Sequence, residues 1–228
     1  MAEDQNKAFI VVTEGRVLIN GQKAISPAQL IDPAAKIEVR RGPQYVGRGA
    51  YKLEAALDAF EIDPTGKICA DIGASTGGFT EVLLRCGAKK VYAIDTARGK
   101  LALKLREDPR VVVLEGTDVR GLALLPELID LGVIDVSLIS LREILSAARR
   151  LLKPDGVIAA LFKPQYETRD PRILHHGVIR DAARREGLLK EFADWAAVNG
   201  WEIRNQIESP IRGSKGNAEY LFQLILHR

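Results

Sequence analysis

A chain of 228 residues has room for one full α/β domain and a small appendage, but not for two large domains. Hydrophobic residues make up 46% of it and charged residues 28%, enough apolar material for a sizeable core. The net charge of +3 argues only weakly for an anionic partner, and two cysteines provide no disulfide framework and no Cys-x-x-Cys metal pattern.

The chain starts with the polar run Ala2-Glu3-Asp4-Gln5-Asn6-Lys7, which lacks the apolar core of a signal peptide. It contains no apolar stretch of the ~18 residues that would span a membrane, so a cytoplasmic protein is expected. Lys7 to Glu14 reads as the last turns of a helix ended by Gly15. Arg16 to Ile19 then reads as a strand, Asn20-Gly21 as a two-residue hairpin turn, and Lys36 to Val39 as a second short strand. Arg40-Arg41-Gly42-Pro43 punctuates the chain as a linker, and Lys36, Arg40, Arg41, Arg48 and Lys52 face a single nearby acid, Glu38. Tyr45 and Tyr51 are interleaved with these cations, a composition suited to phosphates and exposed bases, although a solvated linker has the same composition.

Beyond Gly49 the pattern changes. Tyr51 to Phe60 has helical spacing, Lys67 to Ile72 is a strand ending in a glycine-rich turn, and Phe79 to Arg85 opens a helix. Lys90 to Asp95 is a second buried strand, followed by a helix around Leu101 to Arg106, and Val111 to Leu114 is a third strand. A fourth strand lies within Leu131 to Ser140 and a fifth over Gly156 to Phe162. Arg180 to Val198 is a long helix, and Glu202 to Glu208 and Glu219 to Leu226 close the chain as strands. Strands alternating with helices predict an α/β fold, a mostly parallel seven-stranded sheet with helices on both faces.

In such a sheet, ligands bind beyond the carboxyl ends of the strands. The first strand ends in Gly73-Ala74-Ser75-Thr76-Gly77-Gly78-Phe79, where three glycines within six positions let backbone approach a ligand closely. The spacing is neither Gly-x-Gly-x-x-Gly nor a phosphate loop with Gly-Lys-Ser/Thr, so dinucleotides and ATP fit poorly. Asp95 ends the second strand, where an acid can hold both hydroxyls of a ribose, and Asp118 follows the third, placed to meet an adenine edge. A ribose acid, an adenine partner and a turn without phosphate-binding chemistry point together to S-adenosylmethionine.

Four more polar residues stand where apolar ones would be easier to bury. Asp135 and Lys163 end the fourth and fifth strands, Lys52 begins the helix before the first strand, and Glu219 opens the last strand. Any one of them alone is explained as well by a structural ion pair. Together they suit activation of a hydroxyl for in-line methyl transfer, with a lysine as base and the carboxylates orienting the amines. His175 and His176 have no matching metal ligands, so no metal is expected, and Trp195 and Trp201 read as packing residues.

Gly49-Ala50-Tyr51-Lys52-Leu53, the Asp71 to Thr80 turn, Asp135 to Leu141 and Phe162 to Glu167 resemble the TlyA family of ribosomal RNA methyltransferases, which is also catalogued as "hemolysin A" and belongs with the FtsJ-like 2′-O-methyltransferases. The resemblance covers residues 7 to 228. It implies a Rossmann-like methyltransferase domain behind an S4 RNA-binding module, acting on cytidine riboses of ribosomal RNA. The family's Lys-Asp-Lys-Glu tetrad then falls on Lys52, Asp135, Lys163 and Glu219, and its cofactor site on Gly73 to Phe79, Asp95 and Asp118. The implied division is an S4-like module over residues 1–40, a basic RNA-binding linker over 41–48 carrying Arg48, and a catalytic domain over 49–228. The helix that opens S4 modules has no counterpart before Lys7, which implies a truncated module, and Leu138 stands where the family usually has Phe. Three other classes compete with an RNA methyltransferase: a small-molecule methyltransferase, a non-catalytic ribosome-assembly protein, and the membrane-active protein of the historical name. The last would need spanning elements that the sequence lacks.

Overall fold

Alternation along the strands decides the architecture. In the computed structural model, which describes residues 8, 9, 12, 16–39 and 44–227, the chain divides into two compact units, Met1–Gln44 and Tyr45–Arg228.

The smaller unit is a three-stranded antiparallel sheet in the order β2-β1-β3, formed by β1 (Val17–Ile19), β2 (Gln22–Lys23) and β3 (Ile37–Val39). Asn20 and Gly21 take φ of 49° and 84°, the left-handed pair that a two-residue hairpin turn requires, so the predicted turn is present and β2 follows it. The helix expected over Lys7 to Glu14 falls largely outside the described residues, as do Gly15, Arg40 and Arg41. Ala8, Phe9 and Val12, which are described, are helical.

The larger unit contains, in order, α1 (Ala50–Ala59), β4 (Ile68–Ile72), α2 (Gly78–Arg85), β5 (Lys90–Asp95), α3 (Leu103–Arg106), β6 (Val111–Glu115) and β7 (Ile129–Ile134). There follow α4 (Leu141–Ala148), β8 (Leu152–Phe162), α5 (Pro164–Glu167), a 3-10 turn at Pro171–Ile173, α6 (Ala182–Val198), β9 (Trp201–Glu208) and β10 (Tyr220–Leu226). Seven strands lie in the order β6-β5-β4-β7-β8-β10-β9. The first five are parallel, and β10 enters antiparallel between β8 and β9.

Successive strand residues point to opposite faces, and both faces are covered. Ala70, Ile72, Ile134, Ile158, Phe162 and Phe222 pack towards α4 and α6, whereas Cys69, Val91, Val133, Ala159 and Leu221 pack towards α1 and α2. This double burial is why the strands read as continuous apolar runs. Phe162, Phe192 and Phe222 form the aromatic centre of the first layer, with ring centroids 4.9–5.6 Å apart. Trp201 is buried in the same layer and Trp195 stacks on Phe192. Cys69 is a small buried hydrophobe whose thiol is pushed up to about 12 by burial.

Helix α4 is absent from the sequence expectations, although its start carries a recognisable signal. Ser140 caps it by accepting a hydrogen bond from the Arg142 N–H at 3.2 Å, and Glu143 three residues on completes a Ser-x-x-Glu pattern. Among the described residues no helix is long and apolar enough to cross a membrane.

Candidate active site

The order β5-β4-β7 puts the switch in strand direction of travel next to β4, so the ends of β4, β5, β7 and β8 share one edge. The apolar runs of β5, β7 and β8 stop at a charged residue on this edge, and the site residues therefore emerge together: Gly73 after β4, Asp95 at the end of β5, Asp135 after β7 and Lys163 after β8.

The four tetrad candidates form two ion pairs. Lys52, in the first turn of α1, places its Nζ 2.5 Å from Glu219 Oε2, and both side chains are buried. Lys163 Nζ lies 2.6 Å from Asp135 Oδ1 and donates to Ser137 Oγ at 3.0 Å. Each lysine is thus paired with a carboxylate that orients its amine. Lys52, Lys163 and Glu219 are buried and Asp135 is partly so, which is costly unless every charge is paired, and the two short contacts meet that requirement. All four side chains line one cavity of about 520 Å³.

A second cavity, of about 1020 Å³, lies beside it, along the ends of β4, β5 and β7. Ile94, Val119, Ile139 and Ile144 give it an apolar lining suited to a flat heterocycle, and Asp95 and Asp118 stand on its wall. Gly73, Ser75, Asp135, Ser137, Leu138 and Tyr166 line both cavities, so the two meet at the tetrad. Leu138 is exposed there, at 86%, with φ of 66°.

The two cavities differ in charge. Five carboxylates and three guanidinium groups line the larger one. Five cations and two carboxylates line the smaller one, an excess of three that equals the excess of the whole chain. Since each tetrad lysine is matched by a carboxylate, this excess resides in Arg48, Arg212 and Lys215, none of which has an ion-pair partner among the described residues.

The glycine-rich turn divides between two tasks. Gly73 and Ser75 line the larger cavity, and Asp95 braces the turn by accepting the Ser75 N–H at 2.7 Å and the Ala97 N–H at 2.7 Å. Ala74, Thr76, Gly78 and Phe79 instead line a recess of about 130 Å³ against Gly47 and Gly49. Gly78 is close-packed, since a β-carbon there would stand 3.2 Å from the Ala50 nitrogen. Gly77, at φ 95°, faces Leu101 and Leu105, and Phe79 is buried in the core. Within the run from Gly73 to Phe79, Gly73 and Ser75 thus line the larger cavity, while Gly77, Gly78 and Phe79 meet packing neighbours.

Asp118 lines the larger cavity but its carboxylate is held by Arg120 at 2.7 Å, and Arg120 also reaches Glu143 on α4 at 3.0 Å. The Arg120 hydrogen bonds keep the Asp118 carboxyl below its usual range. Tyr45 departs from the expectation of a ring open to bases. It is buried beneath the Arg85 guanidinium, 4.3 Å from its ring centroid, and its hydroxyl donates to Glu54, so it has no free face for a base. Tyr51, half exposed, packs edge-on against it. Arg48 lines the tetrad cavity, while His175 and His176 are exposed turn residues.

Three further residues shape the site. Asp71, buried at the end of β4, accepts the Thr80 N–H at 2.8 Å and hydroxyl at 2.6 Å through Oδ2, which fixes α2 to the strand, while Oδ1 has no partner among the described residues. Burial, with the nearby charges of Asp135 and Asp95, pushes its carboxyl up to about 7 despite the Thr80 hydrogen bonds. Glu115 accepts the Leu101 N–H, the Arg106 guanidinium and the N–H groups of Gly99 and Lys100, which together hold its carboxyl down at about 2. Glu167 accepts the Ser140 hydroxyl and the Leu141 N–H, tying α5 to the start of α4, and burial raises its carboxyl above the usual range.

This fold, with a strand-end ligand cavity and paired lysines and carboxylates beside it, defines a Rossmann-like methyltransferase. Residues 45–225 match the model of the FtsJ-like methyltransferases, and the chain belongs to that family. It is 41% identical to the 16S/23S rRNA (cytidine-2′-O)-methyltransferase TlyA of Mycobacterium tuberculosis, over 98% of this chain and 85% of that protein. It is 40% identical to Hemolysin A of Brachyspira hyodysenteriae, over 98% of this chain and 95% of that one. A solved structure from Streptococcus thermophilus, provisionally named a hemolysin, is 36% identical and superposes with a TM-score of 0.79, covering 99% of this chain and 84% of that chain.

Proposed function

We propose that the protein transfers a methyl group from S-adenosylmethionine to the 2′-hydroxyl of a cytidine in ribosomal RNA. The observation that carries this reading is the junction of an acid-rich cavity with a cation-rich one at Asp135 and Ser137, the two partners of Lys163. A sulfonium cofactor with a protonated amine is cationic and suits the first, and a polynucleotide suits the second. The family and the activity named for the Mycobacterium tuberculosis relative agree with it.

The residues present fit the cofactor. Gly73 and Ser75 bring backbone to the cavity edge, and Asp95 and Asp118 supply acceptors beside the apolar side chains of Ile94, Val119, Ile139 and Ile144. When bound, the cofactor supplies an electrophilic methyl carbon. The chain supplies position and proton control. Lys163, reacting as the free amine once its own proton has left to solvent, accepts the proton of the 2′-hydroxyl as the oxygen takes the methyl group; Asp135 and Ser137 hold the amine in place, and the Lys52–Glu219 pair presents a fixed cation to the developing oxyanion. Arg48 contacts the RNA backbone, together with the Arg40-Arg41 segment. The unit of residues 1–44 serves as the additional RNA-binding module, and the protein acts in the cytoplasm.

The test is incorporation of labelled methyl from S-adenosylmethionine into purified ribosomal subunits. The parent labels RNA, and Lys163→Ala loses activity by roughly 10²–10⁴-fold while cofactor affinity is retained. Label that appears in protein or in free base, or equal labelling by the two proteins, would overturn the proposal.

A further inference from the structure

The cation excess of the tetrad cavity has a specific source. Of its three unpaired cations, Arg212 and Lys215 lie on the loop between β9 and β10, and both are exposed. That loop is rigidly built. The Gly213 N–H donates to the Asn217 carbonyl at 3.0 Å and the Gly216 N–H to the Gly213 carbonyl at 2.8 Å. Ser209 closes its base, with its hydroxyl on the Ile211 carbonyl at 2.8 Å and its N–H on the Glu219 carbonyl at 2.8 Å.

Asn217 fastens this loop to the opposite wall. It is a buried amide that accepts the Ile179 N–H at 3.0 Å and donates to the Gly177 carbonyl at 2.8 Å, so the turn over residues 175–179 and the loop cannot separate without leaving buried polar groups unpaired. Two further contacts place the loop over the chemistry. Gly213 lies so close to Glu219 that a β-carbon there would collide with its carboxylate. Lys215 reaches across the cavity mouth, with its ammonium 3.4 Å from where a β-carbon on Gly177 would stand.

We infer that this loop is a phosphate seat: Arg212 and Lys215, held over the tetrad by the Asn217 cross-tie, grip a backbone phosphate adjacent to the target ribose. The inference rests on the reading of RNA as the substrate. Two exposed cations next to a tetrad whose own charges are matched attract an anion from outside it. An anion at that position fits a polynucleotide, in which every ribose is flanked by phosphates. The seat works by positioning, and Lys163 and its partners retain the chemistry.

The test is steady-state methylation of purified 30S and 50S subunits, and filter binding of the same subunits, across a salt series. The proteins are the parent, Arg212→Gln/Lys215→Gln, Asn217→Ala, and a charge-matched control, Lys89→Gln/Lys190→Gln. The seat neutralises one phosphate, so the double variant lowers the slope of log affinity against log salt by about 0.7–0.9. KM for subunits rises about tenfold and kcat stays within about twofold, an uncompensated loss of roughly 1.4 kcal/mol in binding. Affinity for S-adenosylhomocysteine by calorimetry is unaltered, which shows an intact fold. Asn217→Ala shifts KM and slope in the same direction although both cations remain. A double variant with the parent's slope and KM, or one no worse than the control, overturns the seat alone. A parent that neither binds nor labels subunits overturns the RNA reading and the seat with it.

Discussion

Gly73 and Asp135 occupy neighbouring strand ends so closely that a β-carbon at residue 73 would collide with the Asp135 carbonyl oxygen and stand 2.9 Å from its carbon. The Asp135 N–H donates in turn to the Ile72 carbonyl at 3.0 Å. The turn that shapes the larger cavity and the strand end that carries a tetrad acid are thereby one rigid piece. Gly73→Ala adds this collision to the strain of a non-glycine residue at φ 90°. The expected result is a loss of about 1–3 kcal/mol of stability. Cofactor affinity and turnover should fall together. Calorimetry with S-adenosylhomocysteine, read beside thermal unfolding, checks this, and an alanine variant that binds as the parent does would show that the turn is free to move.

The Lys52–Glu219 pair separates function from stability. Its side chains are 10% and 4% exposed, so Glu219→Gln leaves a buried ammonium without its counter-charge and is expected to cost about 3–5 kcal/mol. Replacing both partners, as Lys52→Met/Glu219→Leu, removes both desolvation penalties and should restore much of that stability. Methyl transfer should stay lost in the double variant. Denaturant unfolding and label incorporation measure the two effects independently. Recovery of activity together with stability would reduce the pair to a structural role.

The strand ends were the most legible part of the site, because apolar runs such as Ala159-Ala160-Leu161-Phe162 stop abruptly at a charge, Lys163. The pairing of the tetrad was not legible, since Lys52 and Glu219 meet across most of the chain length. Glu115, Glu167 and Asn217 escaped for a related reason. Each acts on backbone N–H groups from a remote segment, which leaves no spacing signal in the sequence. Tyr45 was misread because the groups that enclose it, Glu54 and Arg85, come from elements further along the chain. Glycine content alone also could not separate close packing at Gly78 from cavity lining at Gly73, and only the fold shows which neighbour each meets.

Asp95 is expected to control cofactor affinity through the turn it braces. Its two oxygens accept the Ser75 and Ala97 N–H groups, and Asp95→Asn can satisfy only one of them while turning an amide donor towards the other. Losing one charge-assisted hydrogen bond and the charge should weaken S-adenosylhomocysteine binding about 10- to 100-fold. Stability should change far less, because the turn is at the cavity surface. Calorimetric affinity within about twofold of the parent would remove Asp95 from the cofactor site.

Asp71 makes a prediction about pH. Its carboxyl is raised from 3.8 to about 7, chiefly by burial, so the folded chain holds a proton there over a range in which the unfolded chain has released it. Stability contributed by the protonated group is therefore full below about pH 4, declines as pH rises towards 7, and is absent above it. Carboxylates held low, such as Glu115, act in the opposite direction and at more acidic pH, where stability falls as pH falls towards about 2. Asp71→Asn abolishes the titration while keeping an acceptor for Thr80, so the difference in unfolding free energy between variant and parent should shift in the variant's favour as pH rises from 4 to 7 and then level off. Urea unfolding of both proteins at half-unit steps from pH 4 to 8 decides the matter. Parallel curves across that range would mean that Asp71 titrates outside it, and that its second oxygen finds a donor in solution.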